Sequence, residues 1–251
     1  KNAQAHFILA KLAWREAKFP EAFSQLTMAV ESDPNLIEAR LRLGDLYFSS
    51  GEVEEAAAQA EAARKLAPDR ADVHLLLAKV LYLRDDLPGA AAEIDAALAI
   101  NPAYVDAITA KAGLLVVRGD NAGALAIVDD GLPKTQGNDA VVLRDFRLTL
   151  LRSSGDQAAY EAGLLALIGQ FPDETKYRYQ LLDFYSGTGR RDDEERALRA
   201  LVASDPGNQR TKVRLATRLL RNGDPAGAEQ LLKDAVAKYP DKFVGFACID
   251  P

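Results

Sequence analysis

The chain has 251 residues, 48% hydrophobic and 27% charged, with 17 Gly and 11 Pro, which is the composition of a folded protein rather than of a disordered or collagen-like one. Its net charge of −6 and pI near 5.1 disfavour a nucleic-acid or anionic-membrane surface. No apolar run approaches the length of a membrane-spanning helix, no secretory leader pattern opens the sequence, and the single cysteine, Cys248, rules out an internal disulfide. The first residue is Lys1 rather than Met, which reads as a processed product or a piece of a longer protein.

A period runs along the chain. Prolines recur at Pro34, Pro68 and Pro102, each 34 residues after the last, and again at Pro172, Pro206 and Pro240. The interval between the two sets is 70, so one repeat has lost its proline and the region carries two extra residues. Gly51 and Gly119, then Gly155, Gly189 and Gly223, mark a second phase; Ala22, Ala56, Ala90, Ala124 and Ala228 mark a third. Between these marks, stretches such as ARLRLGDLYFSS and VEEAAAQAEAARKLA have the apolar spacing of helices.

In chain order, the pattern predicts one array, 1–242, of seven helix–turn–helix repeats: 3–36, 37–70, 71–104, 105–140, 141–174, 175–208 and 209–242. Turns are expected near Ala17, Gly51, Asp85, Gly119, Gly155, Gly189 and Gly223. Each proline is expected to open a repeat, because the first helical turn lacks an internal partner for its N–H. The stretch VDDGLPKTQGNDAVV, 128–142, holds the extra residues and a displaced proline, which predicts a longer loop and altered stacking; Gly113 and Gly123 are expected to loosen the same repeat. The apolar tail FVGFACIDP, 243–251, reads as the start of a further helix or as a segment folded back on the last repeat.

The run Arg40-x2-Leu43-Gly44-x2-Tyr47…Ala56-x3-Ala60…Pro68 resembles the tetratricopeptide repeat, whose pattern is W-x2-L-G-x2-Y…A-x3-F…P. Arg40 and Ala60 stand where that pattern has Trp and Phe. The resemblance covers nearly the whole chain and implies an all-α, right-handed superhelical solenoid. Gly44 then falls where the two helices of a repeat cross, a place for a small residue; Ala10, Ala78, Ala112 and Ala216 are its counterparts, and Leu148 and Leu182 predict a wider crossing.

Motifs of chemistry are missing. There is no G-x-x-x-x-G-K-[ST], G-x-S-x-G or H-E-x-x-H. Gly187-Thr188-Gly189-Arg190-Arg191-Asp192 lacks the last glycine of a dinucleotide loop and a strand before it. His6 and His74 occupy one repeat position, 68 residues apart, which suits packing better than metal binding. Asp85-Asp86, Asp129-Asp130 and Asp192-Asp193 fall at turns, where solvated acids are ordinary. No cofactor, no metal and no enzyme activity are expected.

The resemblance implies instead that the first helix of each repeat lines a concave face that binds a protein or peptide. On that face the register sets Trp14, Phe48 and Tyr82 at intervals of 34, Phe7, Leu41 and Leu75 in a second row, and Lys11, Asp45 and Lys79 between them. Lys176, Tyr179, Arg210, Arg214, Thr217 and Arg221 make a basic patch on the later repeats, suited to carboxylates. An exposed apolar row marks an interface; a preceding repeat, a flanking segment or a dimer contact would cover it equally. The family's clamp for chaperone tails needs a Lys and Asn set that is absent, with Phe7, Lys11, Leu41 and Asp45 in its place.

The expected function is a non-catalytic scaffold for a protein or peptide partner, with no nucleic acid and no insertion into membranes. Ala/Arg/Asp-rich repeats with runs such as AALAINP look like those of bacterial envelope proteins of exopolysaccharide export and pilus assembly. The alternatives are a substrate-selecting arm of a larger enzyme and self-association through the terminal repeats.

Overall fold

The computed structural model describes residues 2–238; the expected further helix in 243–251, with Cys248, lies outside them. Packing divides the chain into two bodies, residues 1–154 and 155–251. The N-terminal body holds α1 (Ala3–Arg15), α2 (Phe19–Ser32), α3 (Ile37–Ser50), α4 (Val53–Leu66), α5 (Ala71–Leu83), α6 (Leu87–Ile100), α7 (Val105–Val117), α8 (Asn121–Gly131) and α9 (Gly137–Ser153). The C-terminal body holds α10 (Gln157–Gln170), α11 (Thr175–Gly187), α12 (Arg191–Ser204), α13 (Gln209–Arg221) and α14 (Pro225–Lys238). The described residues contain no strand, and each body is an all-α stack of repeated helix hairpins.

The turns between first and second helices each pass through a left-handed residue. Ala17, Gly51, Asp85, Gly119, Gly155, Gly189 and Gly223 all have positive φ, from 57° to 82°. Glycine adopts this geometry freely, whereas Ala17 and Asp85 carry a Cβ against it. Four second helices are then capped by aspartates: Asp86, Asp120, Asp156 and Asp224 each accept a hydrogen bond from the backbone N–H three residues on, at 2.7–2.9 Å, whereas α2, α4 and α12 have no side-chain cap.

The prolines act differently from expectation. Pro34, Pro68, Pro102, Pro172 and Pro206 lie in the link before each first helix, three residues ahead of its start. The residues before them, Asp33, Ala67, Asn101, Phe171 and Asp205, cap the preceding helices with φ between −127° and −150°. A following proline disfavours helical geometry and ends a helix there. The prolines therefore stop second helices rather than start first ones.

The two extra residues do not make a longer loop. After α8 comes a 3-10 turn, Leu132–Lys134, and α9 then runs for 17 residues where the other helices have 11–14. Most of the surplus is absorbed as helix. Nor does Gly123 loosen its repeat: it occupies the third position of α8, where a Cβ would stand 2.2 Å from the carboxylate of the capping Asp120.

The stacking contact between successive repeats recurs with changing chemistry. Ala56 and Val80 share one buried cluster, Ala90 and Leu114 the next, Ala124 and Leu150 the third. In the C-terminal body the same two positions hold Tyr160 and Phe184, ring to ring at 5.5 Å and 76°, and then Glu194 and Arg218, an ion pair at 3.4 Å. A small and a branched residue in one shared cluster thus give way to an aromatic pair and then to a buried salt bridge.

Gly44 is buried in α3. A Cβ there would meet Leu76 Cδ2 of α5 at 2.6 Å and Gln59 Cβ of α4 at 3.3 Å. The tight approach is therefore chiefly to the next repeat's first helix, and only secondly to the partner helix of its own repeat. Its counterparts Ala10, Ala78, Ala112, Leu148, Leu182 and Ala216 are all buried too.

Candidate functional site

The first helices of the N-terminal body border two hollows. The smaller, about 400 Å³, lies between α1 and α3 and is lined by Phe7, Ala10, Lys11, Trp14, Arg15, Leu26, Arg42, Asp45, Leu46 and Ser49. The larger, about 550 Å³, has Phe48 of α3 at one side, Leu75, Ala78, Lys79 and Tyr82 of α5, Ala90 and Ile94 of α6 as floor, and Asp106, Thr109, Ala110, Gly113, Leu114 and Val117 of α7. Gly113 faces open space, so no Cβ fills that part of the hollow.

The expected aromatic row lies along these hollows. Trp14 is 50% exposed and Tyr82 42%, with Phe48 half-buried between them. Trp14 stands edge-on to Phe19 at 5.1 Å, which holds the indole without covering it. The second row is another matter. Phe7 is half-buried, but Leu41 and Leu75 are closed in, at 9% and 2% exposure. Leu41 joins the core formed with Ala56, Ala60 and Val73, and Leu75 is hollow floor. One side of the expected double ridge is thus core, because alternate turns of a first helix face the second helices behind it.

The charged row is largely spent internally. Lys79 Nζ donates to Asp45 Oδ1 at 2.6 Å and lies over the Phe48 ring, 5.7 Å from its centroid. Lys11 lies 5.8 Å from the Phe7 centroid and forms no ion pair among the described residues. Position-by-position reading missed Arg15, Arg42, Asp106 and Val117; repeating the 34-residue step at the neighbouring helical turns is the signal that finds them.

In the C-terminal body the basic patch is partly neutralised. Arg214 faces Asp183 at 3.3 Å, and Lys176 lies 3.6 Å from Glu174 and over the Tyr177 ring at 4.8 Å. The Tyr179 hydroxyl accepts from Asn208 at 2.9 Å and lies 3.2 Å from Thr211 Oγ1, a strut between α11 and the start of α13. Arg210, Thr217 and Arg221 are exposed.

Nearby, Arg190 bridges Glu161 and Asp193, and the Tyr185 hydroxyl donates to Glu161 at 2.7 Å. Hydrogen bonding to Arg190 holds the Glu161 carboxyl below the usual range, and burial, reinforced by Glu161, pushes Tyr185 up to about 12. A carboxyl lowered in the fold stabilises above its unfolded pKa, and that contribution disappears as pH falls through the folded value. Glu161→Gln is therefore expected to lower the urea midpoint at pH 7 and to flatten its decline on acidification below about pH 4.3; parallel pH curves for variant and wild type would count against this.

His6 Nδ1 pairs with Gln25 at 2.8 Å and His74 Nδ1 with Glu93 at 2.6 Å, in each case between the two helices of one hairpin. Among the described residues no group of three or more His, Cys, Asp or Glu could hold a metal ion, and no helix is long and apolar enough to cross a membrane.

Models of the tetratricopeptide repeat match residues 13–80 and 179–243, one stretch in each body and together about half of the chain. The chain belongs to the tetratricopeptide repeat family. Solved structures of other proteins share its fold at low identity. TTC0263, a thermophilic tetratricopeptide protein of Thermus thermophilus, is 16% identical over 73% of this chain and 98% of its own, with a TM-score of 0.60. Pseudomonas aeruginosa pilF is 16% identical over 81% and 92%, with a TM-score of 0.52. A tetratricopeptide protein of Parabacteroides merdae is 15% identical over 94% and 92%, with a TM-score of 0.50. No curated protein matches the chain. Tetratricopeptide arrays are in general interaction modules that bind proteins or peptides, and this is the coarse function of the chain.

Proposed function

We propose that the chain is a non-catalytic scaffold whose N-terminal body binds an extended protein segment along the face of its first helices. The observation that carries this is the pair of hollows bordered by aromatic side chains of successive repeats, Trp14 and Tyr82 left open and Phe48 half-buried between them. Rigid aromatic rings beside apolar depressions are typical anchors of protein interfaces. The acidic net charge speaks against nucleic acid as the partner. A role in bacterial envelope assembly or polysaccharide export is the specific setting we favour, on the likeness of the repeat composition alone.

Capture from an extract of the source organism with the wild-type chain and with Trp14→Ala/Phe48→Ala/Tyr82→Ala tests the reading. Proteins retained by the first and lost by the second support it; identical retention removes these aromatics from the binding surface. Truncating an aromatic anchor typically costs about 2 kcal/mol, so Phe48→Ala alone is expected to weaken a captured partner about thirtyfold in titration calorimetry.

A second reading has its own observation. Leu9 and Leu12 of α1 are 47% and 48% exposed, whereas Leu43 and Leu77, the counterparts of Leu9, are 2% and 7% exposed. Inside the array this face lies against the second helix of the preceding repeat. A further repeat ahead of α1 or a second copy docked through it would cover it, and light scattering across concentration separates a dimer from a monomeric binder.

A further inference from the structure

The two hollows differ in charge. Around the smaller one, Lys11, Arg15 and Arg42 are exposed and form no ion pair among the described residues, while its one acid, Asp45, is engaged by Lys79. The smaller hollow is therefore apolar with a surplus of three cations. Around the larger, Lys79 is spent on Asp45, and Asp106 stands exposed without an ion pair among the described residues. Its surplus is one carboxylate, beside the Thr109 side chain and the open space at Gly113. Between them the Asp45–Lys79 pair is neutral.

We propose that this face selects a partner segment of defined charge order: an acidic residue beside an apolar anchor in the smaller hollow, and a basic residue beside a second apolar anchor in the larger. The inference rests on the groove reading above and adds the chemistry of the occupant. The apolar walls gain by burying side chains, and unpaired cations beside them favour a carboxylate that can accept charge-assisted hydrogen bonds from the two arginines. The hollows adjoin at α3, but Arg42 on α3 and Asp106 on α7 stand two first helices apart, about 20 Å if successive first helices are spaced by about 10 Å. An extended chain covers that with about six residues at ~3.3 Å each. A segment with the opposite charge order would set cation against cation and acid against acid, and like charges at an interface suppress the wrong partner.

A random dodecapeptide library displayed on phage and selected on the full chain tests this. The expected result is enrichment of sequences with Asp or Glu next to an aromatic or aliphatic residue, and Lys or Arg next to another about six positions away. A synthetic peptide from that set should lose at least tenfold in affinity, by fluorescence anisotropy, on Lys11→Glu/Arg15→Glu/Arg42→Glu. The same peptide with its charges exchanged should bind that variant better than it binds wild type. Circular dichroism establishes that the variant is folded. Enrichment that vanishes with Trp14→Ala/Tyr82→Ala but shows no charge order overturns the inference and leaves the groove standing. No enrichment, or enrichment indifferent to Trp14 and Tyr82, overturns both.

Discussion

Arg218→Leu is expected to destabilise the C-terminal body by about 3 kcal/mol, because breaking a buried ion pair leaves an uncompensated charge behind. The side chains of Arg218 and Glu194 are only 9% and 14% exposed, and the pair is long, at 3.4 Å. Leucine suits the site in size, since its counterparts are Val80, Leu114, Leu150 and Phe184. The loss comes from stranding Glu194 beside the α12–α13 seam. The pair itself is far from optimal: Arg218 Nε and Nη2 are buried with no hydrogen-bond partner, and each orphaned donor costs on the order of 1–3 kcal/mol. Restoring the contact found earlier in the array, with Glu194→Ala and Arg218→Leu together, should therefore reverse the sign and stabilise by about 1–2 kcal/mol over wild type. Urea midpoints of the two single variants and the double variant check this. A double variant no better than the worse single would mean that the pair is not the liability its geometry indicates.

Gly44→Leu is expected to lower stability by about 2–3 kcal/mol through overpacking. Even the first added carbon would stand 2.6 Å from Leu76 Cδ2. That leucine is 2% exposed, so its far end has nowhere to turn without displacing its neighbours in a close-packed interior. Gly44→Ala should lose less, since one methyl can be met by a small shift of the Leu76 side chain, and the added alanine returns about 1 kcal/mol of helix propensity. A denaturation midpoint for Gly44→Leu equal to wild type would show that α3 and α5 are not locked at this crossing.

Much of the fold was legible because it is periodic. The 34-residue step located every positive-φ turn between a first and a second helix, including the two, Ala17 and Asp85, that lack glycine, but not the positive φ of Gly137 at the start of α9. The prolines were found but misassigned in role, since recurrence shows where a residue stands and not which neighbouring helix it ends. The two extra residues were located but their form was not, because nothing in GLPKTQGND separates a loop from an added helical turn. At the candidate site, spacing placed Trp14, Phe48 and Tyr82 beside the hollows. It could not tell that Leu41 and Leu75 turn inward, or that Asp45 and Lys79 neutralise each other. Both depend on how one helix turn meets the next repeat, which a single sequence does not record.

The changing chemistry at the stacking contact bears on how such an array can grow or shrink. Losing the repeat 71–104 by unequal crossing-over would set Ala56 against Leu114, a junction of the kind already present on either side. Gaining a copy would be as harmless. Losing 175–208 would instead press Tyr160 against Arg218, and duplicating it would force a second Glu194 onto Phe184. Length variation is thus tolerated among the repeats before Tyr160 and penalised between Tyr160 and Arg218, so natural variants of different repeat number should differ in the former and keep the aromatic and ionic junctions together.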